Sequence, residues 1–373
     1  MGNGKDNVSR ASIHGGNVFE MARRFGWAPE DVLDFSASIN PLGPPEGLLD
    51  VLTRAYHLLQ HYPDITNRSL LDALSRRFKM DPDWMVVGNG STELIYAMPK
   101  VLGASRVLAA VPTFKEYLKA FRVHGCEVVH CVSAEENAFQ PTTSQLRSAI
   151  EAVDPDVVLV THPGSPSGAL IPPDVRFFLL DEARRRRLTL VVDEVFIDFC
   201  EDESFLAVMP GHEHVILIRS MTKFYGIPGL RLGYVLASPR WVAALRRFVP
   251  PWSVNTLAQA AGVFCLEQEA YRRETLAMVR AERERFGAAL SQIPGLKVFP
   301  SAANYLLVRL DPQLPTAAVL KETLLQRHRL LIRDCANFDG LTPHHFRVAV
   351  RSPHENDRLL SALIEWRQNL NLR

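Results

Sequence analysis

The stretch that decides the fold reads Val215-Ile-Leu-Ile-Arg219-Ser220-Met-Thr222-Lys223-Phe-Tyr-Gly226-Ile-Pro-Gly229-Leu-Arg231-Leu-Gly233-Tyr-Val-Leu-Ala237. Two short apolar runs, Val215–Arg219 and Gly233–Ala237, bracket a glycine-rich loop that holds a lysine and an arginine. Runs that are short and almost wholly apolar mark strands buried on both faces. The pattern extends upstream through Met85–Val87, Val107–Val111, Glu127–Val132, Val157–Thr161 and Thr189–Asp193. Between these runs, Thr92–Leu102, Tyr117–His124 and Asp174–Arg187 have helical length and spacing, with Gly103 and Gly125 where helix exits favour glycine. Strands alternating with helices predict a mainly parallel sheet in a large three-layer α/β/α domain.

Beyond Pro250-Pro251 the pattern changes to one long helical region from Asn255 to about Leu290. It is followed by strand and helix units through Tyr305–Leu310, Leu330–Arg333, Phe346–Val350 and Glu355–Gln368. This predicts a second, smaller α/β domain. The expected division is an N-terminal segment 1–45 packing with the small domain, a large domain 46–254 and a small domain 255–373. The proline-rich residues 39–45 read as an extended connection. The basic run Arg184–Arg187 falls at a predicted helix C-terminus, where positive charge suits the helix dipole, and is read as a solvated helix end.

Composition narrows the function classes. The 373 residues carry 42 basic and 41 acidic side chains, a net charge of +1, so no strong field recommends nucleic acid or an anionic membrane as partner. Residues 1–13 contain Lys5 and Arg10 but no apolar segment, and no run of about 18 apolar residues occurs. The expectation is a cytoplasmic protein acting on a small molecule. Five scattered cysteines without a C-x-x-C pair read as reduced thiols, and the histidines lack zinc-ligand spacing, so no metal is expected.

The chemistry-bearing residues cluster at predicted strand ends. Asp193-Glu194 closes one strand, Ser220 and Lys223 follow the next, and Arg231 stands eight residues past the lysine. In an open parallel sheet the carboxyl ends of the strands form the ligand crevice. A lysine able to form an imine, an acid for a pyridine nitrogen and cationic or amide donors for a phosphate are what pyridoxal 5'-phosphate requires. Gly88-Asn89-Gly90-Ser91-Thr92-Glu93 follows a strand and opens a helix, a second element suited to a phosphate.

The segment Ser220-x-x-Lys223-x-x-x-x-x-Gly229-x-Arg231-x-Gly233, in its order after Gly90 and Asp193, resembles the lysine motif of the fold-type I pyridoxal-phosphate enzymes, in the aminotransferase class I and II branch that includes histidinol-phosphate aminotransferases. The chain is more similar still to that branch's threonine-phosphate decarboxylases of cobalamin biosynthesis. The likeness lies in His14–Asn17, Leu33–Gly43, Phe196–Phe199, Thr222–Tyr234, Pro251–Asn255, Ala303–Leu307 and Leu331–Asn337. It implies that Lys223 carries the cofactor as an imine and that Asp193 pairs with the pyridine nitrogen. Gly90, Ser91, Ser220 and Arg231 would hold the cofactor phosphate with Thr92 nearby, and Phe114 would lie against the ring. Tyr62 would reach the partner's cofactor phosphate, which implies a homodimer. Arg347 would grip the substrate carboxylate, while His14 and Arg333, with Ser38 and Asn40, would address the ends of a small phosphorylated amino acid.

Two departures stand out. Ser165, in Gly164-Ser-Pro-Ser-Gly168, replaces the family asparagine that donates to the cofactor's phenolic oxygen, and Phe196 replaces a tyrosine common in aminotransferases. The implied reaction is decarboxylation of L-threonine O-3-phosphate to 1-amino-2-propanol phosphate. The alternatives are decarboxylation of serine phosphate, a histidinol-phosphate-type transamination and a non-catalytic binding protein of the same fold.

Overall fold

The protein is described from a computed structural model over residues 14–371, so the reading of residues 1–13 lies outside the described residues. Two compact units emerge. One comprises residues 39–278 with 301–303, and the other is built from residues 14–38, 279–300 and 304–371. In chain order the elements begin with α1 (Val18–Phe25), β1 (Leu33–Asp34), α2 (Leu48–Ala55), α3 (Arg68–Phe78), β2 (Met85–Asn89), α4 (Gly90–Leu102), β3 (Arg106–Val111), α5 (Lys115–Val123) and β4 (Glu127–Val132). There follow α6 (Thr143–Val153), β5 (Val157–Thr161), α7 (Pro173–Arg186), β6 (Thr189–Asp193), β7 (Val215–Ser220), α8 (Met221–Phe224), β8 (Leu232–Ala237) and α9 (Pro239–Arg246).

The larger unit is organised by a seven-stranded sheet in the order β2-β8-β7-β6-β5-β3-β4. Every residue of β5, β6 and β7 is buried, as their unbroken Val, Ile and Leu runs predict for strands covered on both faces. On one face Leu94, Ile95 and Met98 of α4, Tyr117 and Phe121 of α5, and Val242 and Leu245 of α9 pack with Val107, Val191 and Ile216. β8 alone runs antiparallel to its neighbours β2 and β7. Its first residues therefore lie at the same sheet edge as the C-terminal ends of the other strands. The fold class expected from the sequence is the one observed.

α7 ends at Arg186, where Arg185 and Arg186 each lie 2.6 Å from Glu182, so the basic run is a paired helix end. The long helix expected from Asn255 is two: α10 (Thr256–Leu266) and α11 (Glu269–Ser291). The division between the units falls inside α11, past the 254/255 boundary expected from the sequence.

The smaller unit completes the chain with β9 (Leu296–Val298), β10 (Tyr305–Leu310), α12 (Ala317–His328), β11 (Leu330–Leu331), β12 (Arg333–Asp334), β13 (His345–Ala349) and α13 (Pro353–Asn371). Its antiparallel sheet has the order β12-β13-β10-β9. Alternation sorts the two faces. Leu306, Val308, Leu310, Phe346 and Val348 join Phe286, Leu320, Leu324, Leu359 and Trp366 in the core. The opposite set, Tyr305, Leu307, Arg309, His345 and Arg347, is left to the other face. The single strand expected over Leu330–Arg333 divides at Ile332: β11 pairs with β1, and β12 pairs with β13.

Candidate active site

In the larger unit the strand ends bring the predicted cofactor residues to one edge. Register places Asp193 beside Thr161 and Ile218, and Ser220 beside Gly233, which itself faces Gly88. Ser220 caps α8, and its hydroxyl lies 2.7 Å from that of Thr222, to which the Lys223 ammonium donates at 2.9 Å. The Lys223 carbonyl accepts from the Asn40 amide at 3.0 Å, which pins the main chain at the lysine.

Gly90 and Gly233 are dictated by space. Gly90 has φ +73°, and a Cβ there would come within 2.5 Å of the Arg231 guanidinium. A Cβ on Gly233 would meet the Ser91 amide nitrogen at 2.3 Å. The N-terminus of the 13-residue α4 and the Arg231 guanidinium thus come together with only glycine between them, and Ser220 stands in register with Gly233. Free helix amides, a dipole end and a guanidinium make an anion cradle. Arg231 sits in the left-handed region at φ 59° and is exposed. Ser91 and Thr92, in the first turn of α4, are half-buried.

Asp193 is buried, and burial pushes its carboxyl up to about 6 against the favourable Val195 amide, Tyr117 hydroxyl and Lys223 ammonium. The Val195 amide donates to it at 3.0 Å. Tyr117 lies fully buried, and its hydroxyl favours the ionised carboxyl. A buried carboxylate with one face committed to the backbone suits a cationic N–H partner such as a protonated pyridine.

Phe114 is half-buried at the start of α5, its ring 6.3 Å from that of Tyr117. Ser165 and Phe196 are buried. The loop carrying Ser165 is held by Gln140, which donates to Ala169 O at 2.7 Å, and by His162, whose Nδ1 accepts from the Ile171 amide at 3.0 Å. Asn40 is occupied by structure: its amide nitrogen meets Phe224 O, the Tyr271 hydroxyl and the Thr275 hydroxyl at 2.7 to 2.9 Å. Tyr62 is 80% exposed and stacks on Trp252 at 4.7 Å.

The smaller unit groups the other predicted substrate residues. Arg333 and Arg347 are register partners across β12 and β13, both buried. Arg347 lies over the Tyr305 ring at 4.7 Å and donates to Ser36 O at 3.4 Å. The Gly16 amide donates to the Ser36 hydroxyl at 2.8 Å, and Gly15 approaches Ser36 so closely that a Cβ would lie 2.2 Å from its carbonyl oxygen. This close approach sets the exposed His14 on the segment beside Ser36 and Ser38. The Ser38 hydroxyl is buried without a hydrogen-bond partner among the described residues. Arg333 donates to Asn337 at 2.8 Å, and burial together with the facing Arg347 lowers its pKa. Like charges opposed across a strand pair are unfavourable unless an anion lies with them.

Thr222, Tyr117 and His162 carry contacts the sequence reading did not assign. Thr222 sits inside the quoted lysine motif, and Tyr117 follows Phe114 by three residues, a spacing that places both on one side of a turn. His162 has no such signal, since its role lies in what it touches. Among the described residues no three His, Cys, Asp or Glu side chains are placed to hold a metal, and no helix is long and apolar enough to cross a membrane.

A strand-end lysine, a buried aspartate and a glycine-lined anion cradle on a mainly parallel sheet fit a pyridoxal-phosphate enzyme of the fold-type I class. The chain belongs to the aminotransferase class I and II family, whose match covers residues 30–363, and its cofactor is pyridoxal 5'-phosphate. It is 39% identical to a threonine-phosphate decarboxylase of Salmonella typhimurium over 94% of this chain and 96% of that one. The solved L-threonine-O-3-phosphate decarboxylase of Porphyromonas gingivalis superposes with TM-score 0.80 at 28% identity, covering 90% of this chain and 99% of the other. A histidinol-phosphate aminotransferase of Clostridium acetobutylicum superposes with TM-score 0.84 at 31% identity, covering 91% and 100%. The resemblance read from the sequence is borne out for both the family and the decarboxylase relatives.

Proposed function

We propose that the protein decarboxylates L-threonine O-3-phosphate, releasing CO2 and 1-amino-2-propanol phosphate, the step that supplies the amino-alcohol side chain in cobalamin synthesis. The observation that carries this reading is the buried Arg333 and Arg347 pair, two cations in register, joined to near full-length similarity to a threonine-phosphate decarboxylase. A substrate with both a carboxylate and a phosphate offers each guanidinium an anionic partner.

Bound pyridoxal phosphate supplies the electron sink that accepts the pair left when the Cα–carboxylate bond breaks. The chain's own residues do the rest. Lys223 would tether the cofactor and, as a free amine, would hold the proton returned to Cα. Asp193 keeps the pyridine nitrogen protonated. Gly90, Ser91, Ser220 and Arg231, with Thr92, hold the cofactor phosphate. Arg347 would take the substrate carboxylate, and His14 and Arg333, with Ser38 nearby, would address the phosphate and carboxylate ends, while Asn40 supports the main chain at Lys223. Orientation of the substrate by these groups selects which Cα bond breaks. Phe114 would lie against the cofactor ring, and Phe196 would line the cofactor site without the hydroxyl of the tyrosine common in aminotransferases. Ser165, shorter than asparagine, would offer the phenolic oxygen a hydroxyl in place of the family amide.

The protein acts as a cytoplasmic homodimer in which the exposed Tyr62 serves the partner's cofactor site. Its 80% exposure on an apolar aromatic pair supports that reading. Incubating the holoenzyme with threonine phosphate and, separately, with serine phosphate tests substrate choice. Threonine phosphate is expected to give the faster CO2 release. One pocket methyl accounts for about 1–3 kcal/mol of discrimination, and faster release from serine phosphate would reverse the assignment.

A further inference from the structure

Behind the cofactor residues the larger unit buries an ionic network that none of the roles above uses. Glu194 and Arg219 are both fully buried. The Glu194 carboxylate accepts from Arg219 Nε at 2.9 Å, from the Ser204 hydroxyl at 2.9 Å and from the Phe205 amide at 2.7 Å. Arg219 also donates to the Ser204 hydroxyl at 2.6 Å and lies over the Phe78 ring at 5.0 Å. Its remaining nitrogen is 3.6 Å from Glu201. The other Glu201 oxygen accepts from Arg77 at 2.5 Å and from Arg272, whose guanidinium lies 5.2 Å over the Phe224 ring.

The three anchors of this network are sequence neighbours of the cofactor residues. Glu194 follows Asp193, Arg219 precedes Ser220, and Phe224 follows Lys223. Glu194 continues the ladder, its amide donating to Ile218 O at 2.8 Å, so the pairing alternation still applies. Consecutive residues in extended chain point to opposite sides. A bond between Glu194 and Arg219 on one side therefore fixes the direction of Asp193 and Ser220 on the other. A buried ion pair costs much of its Coulomb energy in desolvation, so net stability is a poor reason for its presence and geometric definition a better one.

We propose that Glu194, Arg219, Glu201 and Arg272 are positioning residues that orient Asp193, Ser220 and Lys223 toward the cofactor. The inference rests on the pyridoxal-phosphate site described above and deepens it. It is tested with Arg219→Lys and Glu201→Gln. The first keeps the charge and loses the planar fork. The second removes a charge at the half-buried margin of the network, where the fold tolerates the change if Arg219→Lys does not fold.

For each variant that gives the wild-type far-ultraviolet circular dichroism spectrum, two quantities are measured: the dissociation constant of pyridoxal phosphate and the pH midpoint of the visible absorbance of the lysine-linked cofactor. The expected result is affinity weakened about tenfold and a midpoint displaced by about half a pH unit. A merely structural role lowers the melting temperature and leaves the midpoint in place. Wild-type affinity and midpoint in Glu201→Gln would overturn the proposal while leaving the cofactor assignment standing. A wild-type protein that shows no visible band with pyridoxal phosphate would overturn both.

Discussion

At the scale of single residues, burial decides what the titratable groups do. Asp193 sits in a site where desolvation lifts its carboxyl to about 6, so its ionised form depends on the groups around it and on a cationic partner. Asp193→Asn keeps the shape and removes the charge. The prediction is a holoenzyme that still binds pyridoxal phosphate but decarboxylates about a hundredfold more slowly or worse, measured by CO2 release. His162 shows the opposite consequence of burial. Its ring is pulled from 6.5 down to about 4 by desolvation, and its Nε2–H is taken by Glu203 O at 2.8 Å. Between these two values the unfolded chain binds the proton and the folded chain does not, so stability falls as pH drops from 6.5 to 4. The loss amounts to ~3 kcal/mol, and His162→Gln should lack that part of the pH dependence in urea unfolding. Lys223, Asp193, Ser220 and Arg231 were legible in sequence because spacing and strand ends announce them. Tyr117 and His162 were not, because their part depends on Asp193 and Glu203 far along the chain, and Thr222 was not, because a threonine inside the motif does not announce that its hydroxyl meets both Ser220 and Lys223.

At the scale of elements, close approach does the positioning. Gly233 lets β8 pass the first turn of α4, where the obstructing atom for any side chain is backbone at 2.3 Å and cannot yield. Gly233→Ala is therefore expected to displace the helix N-terminus and weaken cofactor binding about tenfold or more, with a lowered melting temperature, read by absorbance titration. In the smaller unit, strand alternation turns Arg347 away from the core that Phe346 and Val348 join. Arg347→Lys replaces a planar fork by a point charge, and KM for threonine phosphate is expected to rise about tenfold at unchanged melting temperature. The elements that escaped the sequence are instructive. Between α10 and α11 stands Glu267-Gln268, with neither glycine nor proline to announce the break. The run Leu330–Arg333 looks like one strand, yet its two halves serve two sheets, a division that only the partners β1 and β13 reveal.

At the scale of the whole molecule, the net charge of +1 gives association little electrostatic drive, so the proposed self-assembly would rest on apolar surface. The Tyr62 and Trp252 pair is such surface, and the protein is predicted to sediment at twice the chain mass with little dependence on salt. Trp252→Glu is expected to shift it toward single chains and to loosen the cofactor, whereas a wild type that sediments as a single chain contradicts the shared-site reading. The large domain was readable as a whole because seven apolar runs and their helices recur in order. The reaction was legible only through the likeness of whole segments and from no single residue, since relatives of the same scaffold include both decarboxylases and aminotransferases. The measurement that bears most directly on the central claim is therefore a balance of products. Holoenzyme is incubated with L-threonine O-3-phosphate in the presence of 2-oxoglutarate, beside Lys223→Ala as control, and CO2 and glutamate are both quantified. The account predicts CO2 equal to substrate consumed, no glutamate, and neither product from Lys223→Ala; glutamate formed in proportion to substrate, without CO2, would contradict it.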